Sequence, residues 1–363
     1  MNSFTIATPK GNRSIGPGSP CFIIAEMSAN HNQDYDKAVA LVKAAAEAGA
    51  DAIKIQTYTP DMMTIDSDKR YFMVGDMIGS KDNPDTWKGM SLYDLYKKAF
   101  TPLEWHADLK AIAEDLGLVF FSTPYDEAGV DFLEQFNLPL YKVASYEVTH
   151  IPFLKRLAKT KKPIIMSVGF SDLSDIELAV KALRDNGTTD LILLHCTTAY
   201  SKQSRSEDAN LNTMLDLGAR FGCLTGFSDN NAGTTVPVQA AMMGATVIEK
   251  HIILEGDETA IDGNFSLGPR DLKAMVVAIR ESERVLGQVK YGFKNESEKN
   301  NAKYQRSIFV VKDIKAGEKF TAENIRVIRP NLGLQPKYYE ETLGKICSRD
   351  IERGEPLTED IIK

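Results

Sequence analysis

The residues able to do chemistry in this chain lie in short polar groups that close apolar runs. Phe22-Ile-Ile-Ala-Glu-Met-Ser-Ala-Asn-His-Asn32 begins with strand-forming residues and ends in a carboxylate, a hydroxyl, amides and an imidazole. Ile24, Glu26 and Ser28 share one strand parity, so a packing residue and two polar ones face the same side. Ala52-Ile-Lys-Ile-Gln-Thr57 repeats the arrangement, with Ile53 and Ile55 on one face and Lys54 and Gln56 on the other. Further polar ends are Ser122-Thr-Pro, Tyr141-Lys-Val-Ala-Ser-Tyr-Glu147, Met166-Ser-Val-Gly, His195-Cys-Thr-Thr-Ala-Tyr200, Gly226-Phe-Ser-Asp-Asn230 and Ile248-Glu-Lys-His251. Lys54 and Lys142, with hydroxyls from Thr123, Ser145, Ser167 and Ser228, suit a phosphate plus a carboxylate. Glu26 and Glu147 are candidates for proton transfer or water activation. His251 is a candidate ligand for a divalent metal. Lys142 and Ser145 have opposite parity, so both reach one site only if the strand has ended by Ser145. Of the other histidines, His106 is expected on a helix surface, His150 at a helix start and His195 as a satisfied core residue.

The elements that must position these groups alternate regularly. Strand-like runs fall at 21–27, 52–57, 119–123, 140–145, 163–168, 191–197, 224–229 and 246–253. Amphipathic segments follow at 35–49, 102–117, 127–137, 151–160, 174–187, 211–221, 234–244 and 271–287, the last with Pro269 just before it and Gly287 as its stop. Eight such pairs predict an α/β chain forming a (β/α)₈ TIM barrel, whose chemistry sits at the C-terminal ends of its strands. Residues 1–20 read as a hairpin plugging one barrel end. The long connection 58–101 falls on the catalytic face, where such loops shape specificity. The predicted organisation is a barrel over 1–287, a polar linker over 288–304 and a small β-rich module over 305–363. Within the module, Asp313-Ile-Lys-Ala-Gly-Glu-Lys-Phe-Thr is repeated as Asp350-Ile-Glu-Arg-Gly-Glu-Pro-Leu-Thr, and Ile325 matches Ile362 at the same offset. Two copies with a Gly turn predict a pseudo-twofold form.

Composition narrows the function. A net charge of -7 over 363 residues argues against general binding to nucleic acid or an anionic membrane. No apolar run reaches the roughly 18 residues of a membrane span, and residues 1–16 hold no apolar signal-peptide region. Four widely separated cysteines without a C-x-x-C are expected as buried free thiols in a reducing cytoplasm. No P-loop and no G-x-G-x-x-G follows a strand, which removes the usual support for nucleotide binding.

From Phe22 to its last residue the chain resembles the sialic acid synthase family. The shared pieces are Ile24-Ala-Glu-Met-Ser-Ala-Asn-His-Asn, Lys54-Ile-Gln-Thr, Phe121-Ser-Thr-Pro, Tyr141-Lys-Val-Ala-Ser-Tyr-Glu, Gly226-Phe-Ser-Asp, Ile248-Glu-Lys-His and Arg306-Ser-Ile-Phe-Val-Val-Lys-Asp-Ile-Lys-Ala-Gly-Glu. Within the family, Ser28-Ala-Asn-His-Asn, the stretch from Gln56 to Asp66 and Leu92-Tyr-Asp-Leu-Tyr look most like pseudaminic acid synthases. The resemblance implies a barrel joined to an antifreeze-like (SAF) domain. It implies condensation of phosphoenolpyruvate with an open-chain amino sugar aldehyde, giving a nine-carbon 2-keto acid and phosphate. By the same resemblance Lys54, Thr123, Lys142, Ser145, Ser167, Thr198 and Ser228 match phosphoenolpyruvate contacts. Gln56, Tyr200 and Asp262 match substrate-side positions. Glu26 matches a catalytic carboxylate, and His251 a ligand to Mn²⁺ or Mg²⁺. Arg329 matches an arginine that the antifreeze-like domain lends to the partner's barrel, which implies a domain-swapped homodimer. The family usually shows Ser-Asp-His at strand seven, with His as second metal ligand, whereas this chain has Ser228-Asp-Asn230. It also has Tyr200-Ser201 where Tyr-Pro is common, and Ile261-Asp-Gly263 where Gly-Pro-Asp is usual. Two other readings compete: a Schiff-base aldolase using Lys54, Lys142 or Lys250, and a non-catalytic sugar-phosphate binder.

Overall fold

The structure is a computed structural model and describes residues 3–75, 78, 87–198 and 206–363. The chain divides into two units, Met1–Leu286 and Gly287–Lys363. The first opens with a hairpin, β1 (Phe4–Thr8) against β2 (Gly11–Ile15). Eight strands follow: β3 (Phe22–Glu26), β4 (Ala52–Thr57), β5 (Val119–Pro124), β6 (Tyr141–Val143), β7 (Ile164–Ser167), β8 (Leu191–Thr197), β9 (Leu224–Asp229) and β10 (Val247–His251). They form one parallel sheet in the order β5-β4-β3-β10-β9-β8-β7-β6. β5 and β6 lie side by side without ladder bonds among the described residues, so the barrel is nearly closed.

Helices pack around it in chain order: α1 (Tyr35–Ala48), α2 (Pro60–Met63), α3 (Leu92–Ala99), α4 (His106–Asp115), α5 (Glu127–Glu134), α6 (Ile151–Ala158), α7 (Leu173–Asp185), α8 (Asn212–Phe221), α9 (Thr235–Met242) and α10 (Pro269–Leu286). The extra helices α2 and α3 belong to the long β4–α4 connection. The ends of α1 show why it forms where it does. Asp34 accepts from the Lys37 N–H at its start, and Gly49 closes it in the left-handed region at φ +85°. Pro269 proves to be the first residue of α10 rather than its predecessor, a position where its missing N–H costs nothing.

Period-two alternation divides each strand between two cores. Ile23, Ala25, Ile53, Ile55, Phe120, Val143, Met166 and Leu193 point outward into the layer beneath the helices. Phe22, Ile24, Ala52, Val119, Phe121, Ile165, Leu194 and Val247 point inward, where Ile6 and Ile15 of the hairpin join them. The hairpin therefore fills the N-terminal end of the barrel, as the sequence predicted. Asp51 anchors this end by ion pairs to both Arg13 and Arg280.

The second unit carries a short helix over 296–301 and then the antiparallel pair β11 (Ser307–Val310) and β12 (Ile325–Ile328). Its pseudo-twofold is exact in several contacts. Ala316 N–H donates to Asp350 at 2.9 Å and Arg353 N–H to Asp313 at 2.8 Å. Val310 pairs with Ile325 as Cys347 pairs with Ile362. Gly317 and Gly354 take φ +89° and +98°, the conformation each repeated turn requires. Ile308, Val310, Phe320, Ile325, Ile351 and Leu357 form its core.

Candidate active site

Further up the same strands the inward positions change from apolar to charged. Above the inner core, Glu26, Lys54, Lys142, Ser167, Cys196, Ser228, Glu249 and His251 line a cavity of about 500 Å³. The connection after β4 supplies much of its apolar wall, including Tyr58, Leu92, Leu95 and Tyr96. Gly226, inward on β9, permits the close strand contact beneath, since a Cβ there would lie 2.2 Å from the Val247 carbonyl oxygen.

The floor is a chain of charges. Lys54 Nζ lies 2.7 Å from Glu26 Oε2 and 3.8 Å from Glu249 Oε1, and donates to Thr123 Oγ1 at 3.0 Å. Lys142 Nζ lies 3.4 Å from the same Glu249 oxygen, to which Ser228 donates at 3.2 Å. Burial opposes the charge on Lys54, yet Glu249 and Glu26 hold its ammonium above the usual lysine range. Burial lowers Lys142, offset in part by Glu249. Burial raises Glu26 against the pull of Lys54. Glu147, on the turn after β6, is pushed up to about 8 by burial, with Lys142 acting the other way. Burial, then Lys54, Lys250 and Lys142, hold His251 well below the usual histidine value, so its imidazole is neutral near pH 7. Ser167 Oγ, Glu147 Oε2, Glu249 Oε2 and His251 Nδ1 are enclosed without a hydrogen-bond partner. Such groups are rare in folded proteins and are expected where a ligand completes the bonding.

Most of the sequence-selected residues converge here. Glu26, Lys54, Gln56, Lys142, Ser145, Glu147, Ser167, Ser228, Asn230, His251 and Asp262 line the cavity. Ser145 reaches it because β6 ends at Val143 and a tight turn follows. Thr123 lies just beneath, fully buried behind Lys54. Thr198 follows β8 and is half-buried, but is not among the lining residues. Tyr200 lies outside the described residues. Arg329 belongs to the second unit, at the end of β12.

Two histidine and lysine expectations change. His106 is not on the surface but fully buried, with Nε2 2.7 Å from Thr57 Oγ1. Thr57 faces outward from β4 and also meets Ser122 Oγ at 2.6 Å, so α4 packs on a polar patch that needs the imidazole. Lys250 is turned away from the cavity. It is fully buried behind the sheet, bonded to Asp229 Oδ2 at 2.8 Å. Its parity is opposite to that of Glu249 and His251, and this signal was readable in the sequence. The same parity identifies Glu249, which sequence reasoning passed over. His195 is a satisfied residue, its Nε2–H donating to the Ala209 carbonyl at 2.7 Å, and His150 caps α6.

Among the described residues no group of three His, Cys, Asp or Glu side chains is arranged to hold a metal. The cavity offers one neutral imidazole on His251, in register beside Glu26, and the Asn230 carboxamide, whose nitrogen donates to Cys196 Sγ at 3.4 Å. One nitrogen ligand with neighbouring oxygens fits a hard divalent ion that completes its shell from water and substrate.

The fold and this cavity define a (β/α)₈-barrel enzyme with a charged, ligand-shaped floor at the C-terminal ends of its strands. The chain belongs to the NeuB family, whose model matches residues 41–291, and the SAF domain model matches residues 305–363. It is 40% identical over 344 residues to the pseudaminic acid synthase of Helicobacter pylori, covering 95% of this chain and 98% of that protein. It is 34% identical over 355 residues to the N,N'-diacetyllegionaminic acid synthase of Legionella pneumophila, covering 96% of each. Among solved structures it is similar to the spore coat polysaccharide biosynthesis protein SpsE of Bacillus subtilis, at 32% identity and TM-score 0.64 over 100% of this chain and 99% of that one. It is also similar to a sialic acid synthetase of Leptospira borgpetersenii in complex with citrate, at 27% identity and TM-score 0.69 over 83% of this chain and 95% of that one.

Proposed function

We propose that the chain is a nonulosonic acid synthase of the pseudaminic type, joining phosphoenolpyruvate to the aldehyde of an open-chain amino sugar. The observation that carries this reading is the floor itself: two buried lysines converging on Glu249, with an unpartnered Ser167 hydroxyl beside them. That set suits a small multiply charged anion. Identity to pseudaminic acid synthases over nearly the whole chain supports it.

In this reaction the enol carbon of phosphoenolpyruvate forms a bond to the aldehyde carbon, and water adds at the carbon bearing phosphate. Cleavage of the carbon–oxygen bond then releases phosphate. Lys54, Lys142, Ser145, Ser167 and Ser228 hold the anion, with Thr123 steadying Lys54 and Thr198 at the edge. Glu147, protonated near neutral pH, is the group suited to donate a proton to the aldehyde oxygen, and Glu26 the group suited to take one from water. Gln56 and Asp262 face the sugar. His251 and Asn230 would hold a Mn²⁺ or Mg²⁺ ion, which supplies Lewis-acid polarisation of a carbonyl when bound. On the family likeness we further propose that Arg329 serves a second copy's barrel in a domain-swapped homodimer. No helix among the described residues is long and apolar enough to cross a membrane, and the four cysteines are free and buried, which supports a cytoplasmic enzyme.

The test is phosphate release from phosphoenolpyruvate that depends on an added amino sugar, with the condensed acid identified by mass spectrometry. A Schiff-base aldolase has one observation in its favour, the lowered Lys142. Borohydride trapping of a pyruvate adduct on Lys142 would replace the synthase reading with that one.

A further inference from the structure

Ser28 lies two residues beyond β3 and has a left-handed backbone, φ +51°, a conformation that glycine adopts far more readily than serine. Neither anion binding nor proton transfer, as assigned above, calls for it. Its side chain nevertheless joins the two groups placed at the sugar end of the cavity. Gln56 Nε2 donates to Ser28 Oγ at 3.3 Å, and Ser28 Oγ donates to Asp262 Oδ2. Gln56 Nε2 donates in addition to Glu26 Oε1 at 3.0 Å.

A carboxamide nitrogen carries two hydrogens, and here both are committed, one to Glu26 and one to Ser28. The reversed amide would set its oxygen against a carboxyl oxygen and against a hydroxyl whose hydrogen is already given to Asp262. The far end of the chain is fixed as well. Asp262 Oδ2 also accepts from the Ala29 N–H at 3.3 Å, and the Asp262 N–H donates to Asn30 Oδ1 at 3.0 Å. Asn30 in turn donates to the Ile252 carbonyl at 2.8 Å. Gln56 is therefore held in one sense, with its carbonyl Oε1 left over. That oxygen accepts from no described residue, and Gln56 is only partly buried at the cavity.

We infer that Ser28 is a positioning residue that turns the Gln56 carbonyl toward the acceptor sugar, so that this subsite selects an N–H or O–H donor on the sugar. The inference rests on the synthase reading. It explains a serine, rather than a glycine, at a left-handed position: the hydroxyl is needed although the backbone would prefer none.

The experiment compares Ser28→Gly, Ser28→Ala, Gln56→Ala and the double variant Ser28→Gly/Gln56→Ala, using the acetamido hexose that the wild type converts fastest. Glycine suits the left-handed backbone and removes the whole CH₂OH group; alanine removes the hydroxyl alone and repeats the test should glycine loosen the turn. Ser28→Gly is expected to raise the sugar KM by about 3- to 10-fold, the worth of one neutral hydrogen bond. The kcat and the phosphoenolpyruvate Kd from calorimetry should stay within about twofold. The double variant should be no worse than Gln56→Ala alone. A wild-type sugar KM in Ser28→Gly overturns the inference, as does a double variant in which the two losses multiply. Absence of any sugar-dependent phosphate release by the wild type overturns the synthase reading itself, and this inference with it.

Discussion

Lys142 Nζ and Glu249 Oε1 stand 3.4 Å apart although their strands, β6 and β10, lie on opposite sides of the ring. The contact spans the barrel interior, and both side chains are nearly fully buried there. Lys142→Met would leave Glu249 with the Lys54 ammonium at 3.8 Å and the Ser228 hydroxyl at 3.2 Å. Loss of a charge-assisted bond to the anion is worth roughly 1.5–3 kcal/mol, so phosphoenolpyruvate affinity should fall about 10- to 150-fold by calorimetric titration. Breaking a buried pair also costs about 3–5 kcal/mol of stability, which a denaturant melt would register. Lys54→Met should weaken binding in the same range. Wild-type affinity in both variants would remove the anion-site assignment.

Glu147 is expected to make stability, and the proposed reaction, depend on pH in a defined sense. Burial raises its pKa to about 8, above the ordinary glutamate value of about 4.3. The folded state then holds a proton that the unfolded state has released, so its contribution is full below about pH 4 and is lost as pH rises through about 8. Wild type should lose stability across that window relative to Glu147→Gln, by up to a few kcal/mol, measured by urea melts at pH 5, 7 and 9. The kcat/KM, which reports the free enzyme, should fall on the alkaline side with an apparent pKa near 8, and Glu147→Gln should abolish that limb. Parallel pH–stability curves for the two proteins would refute the assignment.

The metal proposal concerns His251 and Asn230. Because His251 stays neutral well below the usual histidine range, its own protonation should not weaken metal binding between about pH 6 and 8. Asn230→His should tighten Mn²⁺ binding, and His251→Ala should abolish it, both by equilibrium dialysis without substrate. Affinity unmoved by either substitution would exclude the pair as ligands.

Arg329 offers a test of subunit exchange. If it serves a second copy's barrel, Arg329→Ala and Glu26→Gln variants are each expected to be impaired, whereas mixing them should restore activity. The hybrid dimer would own one barrel with its own Glu26 and a borrowed Arg329. No recovery, after native mass spectrometry shows hybrids, would count against the swap.

Much of this was legible before the structure, because a parallel barrel reads directly from period two. The inward set Ile24, Glu26, Lys54, Gln56, Ser228 and His251 follows from parity alone, and so does the outward turn of Lys250. His106 was not legible, because its burial depends on Thr57 and Ser122 presenting hydroxyls from the outer face of two strands to α4. Strand parity puts Ser28 on the side of Ile24 and Glu26 but gives it no role. Its role depends on a meeting with Asp262, 234 residues away in the chain, and no local pattern reports that contact. Thr198 was selected by family likeness alone; it follows β8 half-buried at the edge of the cavity, a placement that strand parity does not report.

The β1–β2 hairpin has a consequence for the order of events. With Ile6 and Ile15 seated in the inner core, the N-terminal end of the barrel is filled, and the cavity lies toward its C-terminal end with Gln56 and Asp262 on its wall. Lys54 and Lys142 lie at the blind end, 4% and 2% exposed. In the proposed reaction whatever binds the lysines must arrive before the sugar closes the passage, and the phosphate left behind must wait for the larger product to depart. Under the proposed reaction, entry from the C-terminal end is expected to impose a sequence, first in and last out, in which phosphate competes with phosphoenolpyruvate for the empty enzyme.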